Sequence, residues 1–326
     1  MVKAVRIHEF GEVDVLKIED VEVGDPGPGR LRLRHTVIGF NFLDIAVRKG
    51  IYPVLPELPS VLGTEAAGVV EAVGEGVEGF AEGDRVAYAA TLPGAYAEGR
   101  LIDASQVVAL PDDVSDEVAA ASMLKGMTAE YLIHRCYAPA AGETALVHAA
   151  AGGVGLFMCQ WLAAKGVSVI GTVGSDEKKD TILANGAAHA VNYKTENFQE
   201  VVRGVTGGTG VDVVYDSVGK DHYQRSIDSL RPRGWMVNFG NASGALPPID
   251  SVELNVKGSL IFTKASMRFY QLTREELEGS AATLFTALAA GDVKTVIGQR
   301  YSLDHVATAH TDVAEGRTTG STVFTI

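Results

Sequence analysis

Apolar and polar positions follow two different rhythms along this chain. From residue 144 to about 263, short apolar runs alternate with stretches of helical period. Residues 144–148, 167–173, 191–193, 211–216, 235–239 and 259–263 read as buried strands. Residues 156–165, 176–185 and 223–230 carry helical patterns, the second stopped by Asn185-Gly186. Such alternation predicts a doubly wound parallel sheet with its ligand crevice at the carboxyl ends of the strands. Residues 1 to about 120 read differently. Short alternating strands at 3–8, 31–36, 67–73 and 85–88, with Gly-Pro turns such as residues 24–29, predict a compact β-rich domain with few helices. Between the halves, residues 115–137 form a long apolar-faced helical pattern, capped by Ser115 or Asp116 and interrupted at Gly126. After 265 come a helix at 275–290, a second helical stretch beyond 301–305 and a last strand at 321–326. This tail is expected to return to the first domain.

A glycine cluster, Ala150-Ala151-Gly152-Gly153-Val154-Gly155, sits between the first strand and first helix of the alternating half. A strand, glycine turn and helix in that order place a pyrophosphate on a helix N-terminus, because glycines let the backbone approach the phosphates. Gly152, Gly153 and Val154 are therefore candidate contacts, although Ala150 stands where the full fingerprint has glycine. The other strand ends on the crevice side add Gly174, Ser175, Ser217, Phe239, Gly240, Asn241 and Ser243. An NAD site has an acid near the tip of the second strand. Here that tip is Thr172-Val173-Gly174-Ser175, and Lys178 follows one turn into the next helix, where it could meet a 2′-phosphate. NADPH is the expected cofactor. Asp176 and Glu177 depart from this pattern and read as acids complementing the helix dipole.

Length and charge narrow the function class. A chain of 326 residues suggests two domains. A net charge of −13 without a basic run argues against nucleic-acid or anionic-membrane partners. No stretch approaches a membrane span or a signal h-region, and two cysteines give no disulfide framework, so a cytoplasmic protein is expected. No Ser-His-Asp or Cys-His nucleophile pattern is visible, and His148, ending a core strand, reads as a satisfied buried histidine.

Motifs along nearly the whole chain carry a resemblance. They are 39–44 (GFNFLD), 62–68 (LGTEAAG), 83–86 (GDRV), 124–128 (LKGMT), 148–156, 171–174 (GTVG), 214–219 (VYDSVG) and 239–244 (FGNASG), with a weaker match at 316–320 (GRTTG). With these the chain resembles the medium-chain dehydrogenase/reductase superfamily, and within it the bacterial zeta-crystallin-like NADPH:quinone oxidoreductases. The resemblance implies an α/β protein: a GroES-like β-rich catalytic domain at 1–125, completed by 265–326, and a Rossmann domain at 126–264. It matches Tyr193 to an NADPH-binding tyrosine, Thr128 and Lys125 to residues beside the nicotinamide, and Arg317 to a cofactor-contacting arginine. Asn41 would meet the acceptor carbonyl or the nicotinamide ribose, or serve only as a turn residue. Asp44 would contact the cofactor or form a surface salt bridge, and Tyr52 would line the acceptor pocket or simply pack. Lys125 has a domain-linking charge as its alternative. Relatives carry a polar group near Ala46, so the acceptor pocket is expected to differ. The resemblance also implies a homodimer, for which the apolar strand at 259–263 is the natural pairing edge.

Zinc-dependent members hold their metal with two Cys and one His. The matching positions here are Asn41, Thr64 and Lys125, and an ammonium repels the ion, so no metal is expected. Reducing an isolated carbonyl builds an alkoxide, whose acid is about as weak as water, near pKa 16. Reducing a quinone builds a phenolate-like anion, near 10, leaving roughly 8 kcal/mol less charge to stabilise. A metal-free site therefore favours small quinones or conjugated enones, with catalysis mostly by positioning. An enone, 2-alkenal or enoyl-thioester reductase and a non-catalytic, crystallin-like NADPH-binding protein remain the alternatives.

Overall fold

The computed structural model describes residues 1–90 and 92–326, which divide into two compact units. The first comprises Met1–Met127, Gln271–Ala289 and Thr295–Ile326; the second comprises Thr128–Tyr270 and Ala290–Lys294.

In the first unit β1 (Val2–Ile7) lies between β2 (Lys17–Val21) and the later β4 (Ser60–Val61) in a small antiparallel sheet. The chain then runs through β3 (Arg30–Phe40), α1 (Phe42–Arg48), β4 (Ser60–Val61), β5 (Glu65–Val73), β6 (Arg85–Ala89), β7 (Gly99–Asp103) and β8 (Val107–Ala109) into α2 (Asp116–Tyr131). Strand β3 is the backbone of the larger sheet: it pairs antiparallel with β5 and with β7. Its alternate residues Leu31, Leu33, Ile38 and Phe40 enter one core with Val5, Ile7, Val70, Val86 and Tyr88. Ser115 caps α2, its hydroxyl accepting from the Val118 amide at 3.2 Å. Gly126 does not interrupt this helix, contrary to the sequence expectation. A Cβ there would stand 2.5 Å from the Leu284 side chain, so the glycine makes room for packing.

The second unit alternates as its sequence predicts. It runs β9 (Thr144–Val147), α3 (Gly153–Ala164), β10 (Ser168–Val173), α4 (Glu177–Ala184), β11 (His189–Asn192), α5 (Phe198–Val205), β12 (Val211–Asp216), α6 (Tyr223–Ile227), β13 (Leu230–Asn238), α7 (Ser251–Val256) and β14 (Ile261–Lys264). The six strands form one parallel sheet in the order β11-β10-β9-β12-β13-β14. The order reverses at β9, so the strand ends around β9 and β12 form the topological switch point. Helix α6 is shorter than the 223–230 pattern: Leu230 pairs with Val211 and opens β13.

The tail supplies α8 (Arg274–Ala290), β15 (Ile297–Ser302), α9 (Val306–Ala314) and β16 (Ser321–Thr325). Strand β16 pairs antiparallel with β3, so the tail does return to the first unit's sheet. Among the described residues no helix is long and apolar enough to cross a membrane.

Candidate functional site

The glycine turn joins β9 to α3. Gly152 is the N-cap of α3, and a helix's first turn leaves amides without intrahelical partners. Gly152, Gly153 and Val154 are partly accessible, whereas Gly155 is buried. A Cβ on Gly155 would lie 2.6 Å from the carbonyl oxygens of Ala149 and Ala150, so only glycine lets α3 start this close to the strand. Gly155→Ala is expected to cost about 1–3 kcal/mol, measured by urea unfolding. The alanine at the first fingerprint position also finds its reason here. Gly171 on β10 faces Ala150: a Cβ on Gly171 would lie 2.8 Å from the Ala150 methyl, so the missing side chain is on the neighbouring strand. Ala149 takes φ 51°, a left-handed conformation unusual for alanine.

At the tip of β10, Gly174 faces Tyr193: a Cβ on Gly174 would stand 3.2 Å from the Tyr193 hydroxyl. Lys178 lies on α4 close enough to Lys194 that burial first, and then this second ammonium, lower its pKa. Two like charges held near a strand tip favour a dianion over a hydroxyl, and Lys194 is a candidate that sequence reasoning missed. The two acids beside Lys178 are engaged elsewhere. Asp176 accepts from the Asn192 amide at 3.2 Å and pairs with Lys179 at 3.3 Å. Hydrogen bonding to Ser175 is the leading cause that lowers the Glu177 carboxyl.

Beyond the switch point, the loops after β12 and β13 are tied together. The Ser243 hydroxyl donates to the Val218 carbonyl at 2.9 Å and accepts from the Asp221 amide at 3.0 Å. The Ala242 amide donates to the Ser217 carbonyl at 3.1 Å. Gly240 permits this approach, since a Cβ there would lie 2.5 Å from the Ser217 carbonyl oxygen. His148 is fully satisfied: its ring nitrogens meet Thr172 Oγ1 at 2.9 Å and Ser226 Oγ at 2.8 Å. Burial, and then the neighbouring His222 ring and the Arg225 charge, push its pKa well below the usual range. Thr128 is buried, with its hydroxyl 3.8 Å from the Met267 sulfur.

The first unit holds a separate cluster of buried polar groups. Asn41 caps α1, and its side-chain amide donates to Glu65 Oε2 at 2.8 Å. The Lys125 ammonium donates to the same oxygen at 2.8 Å, and the Leu124 amide donates to Oε1 at 2.7 Å. Lys125 and Glu65 are 6% and 0% exposed, so this is a buried ion pair within one unit and not a domain-linking charge. Asp44 is 1% exposed and forms no surface salt bridge. Its carboxylate accepts from the Asn41 amide at 2.9 Å, the Tyr96 hydroxyl at 2.9 Å and the Thr64 hydroxyl at 3.1 Å. Burial pushes the Asp44 carboxyl up to about 7 against those hydrogen bonds and the Lys125 charge. Tyr52 packs half-buried against this unit's core, and Arg317 pairs with Asp312 at 2.6 Å and with Glu315.

Asn41, Thr64 and Lys125 do not fit a catalytic zinc ion. An amide, a hydroxyl and an ammonium replace the thiolates and imidazole such an ion needs. Of the two carboxylates beside them, Glu65 is held by Lys125 and Asp44 by Thr64, Tyr96 and the Asn41 backbone.

A parallel dinucleotide-type sheet with its glycine turn and a β-rich unit carrying this polar cluster define a medium-chain dehydrogenase/reductase. Residues 27–138 match the alcohol dehydrogenase GroES-like domain, and residues 153–284 match the zinc-binding dehydrogenase family. The chain is 46% identical to a quinone oxidoreductase of Pseudomonas aeruginosa, covering 99% of each chain. It is also 46% identical to a 2-haloacrylate reductase of a Burkholderia species, again covering 99% of each. The crystal structure of Escherichia coli quinone oxidoreductase complexed with NADPH superposes with a TM-score of 0.96 at 43% identity, over 99% of this chain and 100% of that one. The chain belongs to the quinone oxidoreductase family.

Proposed function

We propose that this protein is an NADPH-dependent quinone oxidoreductase, a two-domain enzyme whose catalytic domain is 1–125 with 265–326 and whose cofactor domain is 126–264. The Lys125–Glu65 pair carries this reading: it fills the place of a zinc site with an ammonium already neutralised, and so favours an acceptor that delocalises its own charge. Bound NADPH supplies the hydride. Gly152, Gly153 and Val154 receive the pyrophosphate on the first turn of α3. Gly174, Ser175, Lys178 and Tyr193 receive the 2′-phosphate end. Ser217, Phe239, Gly240, Asn241 and Ser243 form the opposite wall, and Thr128 and Arg317 complete the cofactor contacts. Asn41 and Tyr52 orient the acceptor, with Asp44 fixing Asn41 through its backbone amide. No essential acid or base is required, because the hydroquinone takes its protons from water.

Lys178→Ala is expected to lower the NADPH-over-NADH preference by about tenfold or more, since one charge contact is worth about 1–4 kcal/mol. The measurement is kcat/KM for both cofactors. An unchanged ratio would remove Lys178 from the 2′-phosphate site.

The 2-haloacrylate reductase relative favours a second reading, reduction of a conjugated double bond on the same scaffold. NADPH oxidation with benzoquinone, a conjugated enone, 2-chloroacrylate or no acceptor, each with and without EDTA, separates the two. Quinone turnover that survives EDTA supports the metal-free quinone reductase. Enone or haloacrylate turnover with a silent quinone moves the assignment to the double-bond reductases. Silence throughout, with NADPH bound, leaves a crystallin-like binding protein.

The reading extends to a cytoplasmic homodimer without nucleic-acid or membrane partners. Strand β14 ends the sheet, and Val252 and Val256 of α7 are 65% and 78% exposed. Sedimentation at micromolar concentration giving a monomer mass would contradict the dimer.

A further inference from the structure

Three parallel strands of the second unit end in a chain of polar groups, of which Asn238 and Lys264 lie outside every sequence motif. Asp216 ends β12, Asn238 ends β13 and Lys264 ends β14. The Asp216 carboxylate is fully buried and accepts from the Val218 amide at 2.8 Å and the Gly219 amide at 3.1 Å. The Asn238 amide nitrogen donates to Asp216 Oδ2 at 2.9 Å and to the Gly240 carbonyl at 2.9 Å. The amide oxygen of Asn238 faces the Lys264 ammonium, which also donates to Asn241 Oδ1 at 3.0 Å and to the Gly240 carbonyl at 3.4 Å.

The charges of Asp216 and Lys264 are thus joined through one neutral amide, with no direct ion pair between them. Lys264 directs its ammonium at three neutral oxygens, and two of these belong to the loop after β13. A lysine placed this way holds a loop, because each bond is charge-assisted and all of them converge on one short segment. The location decides which half of a dinucleotide depends on it. In a doubly wound sheet the adenosine end lies over the second strand, here β10, and the nicotinamide end lies across the switch point, over β12 and β13.

We propose that Lys264 is a positioning residue for the nicotinamide half of the cofactor: it fixes Gly240 and Asn241 in the conformation that receives that half. This rests on the dinucleotide reading above. It separates Lys264 from Lys178, which addresses the other end of the same ligand.

The test is equilibrium binding of NADPH, NADH and adenosine 2′,5′-bisphosphate to wild type, Lys264→Met and Lys264→Arg. Loss of charge-assisted hydrogen bonds is expected to raise the Kd of Lys264→Met for NADPH and NADH by a common factor of about tenfold. The bisphosphate, which lacks the nicotinamide half, should bind wild type and Lys264→Met alike. Lys264→Arg should restore most of the dinucleotide affinity. Lys264 is exposed, so these variants are expected to fold; Lys264→Gln, uncharged but still a donor, is a second neutral variant with the same expected weakening. Unchanged NADPH affinity in both neutral variants would overturn the proposal. So would an equal loss for the bisphosphate, which would make Lys264 a general prop of the unit. Wild-type protein that binds none of the three ligands would instead remove the dinucleotide reading itself.

Discussion

Lys125→Met is expected to destabilise the first unit by about 3–5 kcal/mol, the largest single loss anticipated for this chain. Glu65 is completely buried, and among the described residues its carboxylate keeps the Asn41 side-chain amide and the Leu124 backbone amide once the ammonium is gone. Neither carries a charge, so a carboxylate remains in a low-dielectric interior with two neutral donors. The methylene stem of methionine fills much of the volume left by lysine, which keeps the change electrostatic. The test is therefore a set of three urea unfolding curves: wild type, Lys125→Met, and Lys125→Met with Glu65→Gln. The double variant should recover most of the loss, because glutamine still accepts from the Leu124 amide while bringing no charge. A single variant within 1 kcal/mol of wild type would show that the pair does not hold the cluster together. A double variant as unstable as the single would trace the loss to packing.

Much of this architecture could be read from the sequence because the signals were local. Short apolar runs between turns locate all six strands of the parallel sheet, and Asn185-Gly186 marks where α4 stops, with Gly186 at φ 97°. Where the local signal served two masters, it misled. Leu230 fits the apolar face of a helix and equally the first position of a strand, and pairing with Val211 decided for the strand. Gly126 carries a breaker's signature, yet its role is to admit Leu284, more than 150 positions later. Amphipathic α5, with Phe198 and Val202 facing the core, was overlooked beside the glycine motifs.

The site divides the same way. Gly152–Gly155 and the Gly174 tip were legible because each is one turn of chain. The polar clusters were not. Asp44 finds its partners at Thr64 and Tyr96, and Lys264 finds its own at Asn238 and Asn241, across separate strands. From sequence Asp44 reads as a cofactor contact or a surface acid, because nothing in residues 39–44 reveals the tyrosine that folds over it.

That burial makes Asp44 the source of the second large effect, a pH-dependent one. The carboxyl titrates near 3.9 in an unfolded chain and at about 7 in the folded protein, raised mainly by burial. Between those values the native state holds a proton that the unfolded state has lost. Stability from this group is therefore complete below pH 4, falls as pH rises, and levels off above about pH 7. Three units at 1.36 kcal/mol each make the whole change roughly 4 kcal/mol. The proton has a place to sit, since the Thr64 hydroxyl, unlike the Asn41 amide, can turn from donor to acceptor.

Asp44→Asn removes the titration while keeping a carbonyl oxygen for Asn41 and Tyr96 and supplying an N–H toward Thr64. Relative to wild type, the variant should gain stability from pH 4 to about pH 7 and level off above it, by about 4 kcal/mol at most. The difference between the two proteins is the informative quantity. The wild-type curve alone mixes in His35 and His222, lowered to about 4, His310, lowered to about 3, and His148, all kept neutral chiefly by burial. Each of these loses stability in the opposite direction, as pH falls below the unfolded histidine value near 6.5. Subtracting the Asp44→Asn curve cancels the histidines and leaves the carboxyl. Parallel curves across the range would mean that Asp44 stays ionised in the folded protein, with the hydrogen bonds from Asn41, Tyr96 and Thr64, and then the Lys125 charge, outweighing its burial.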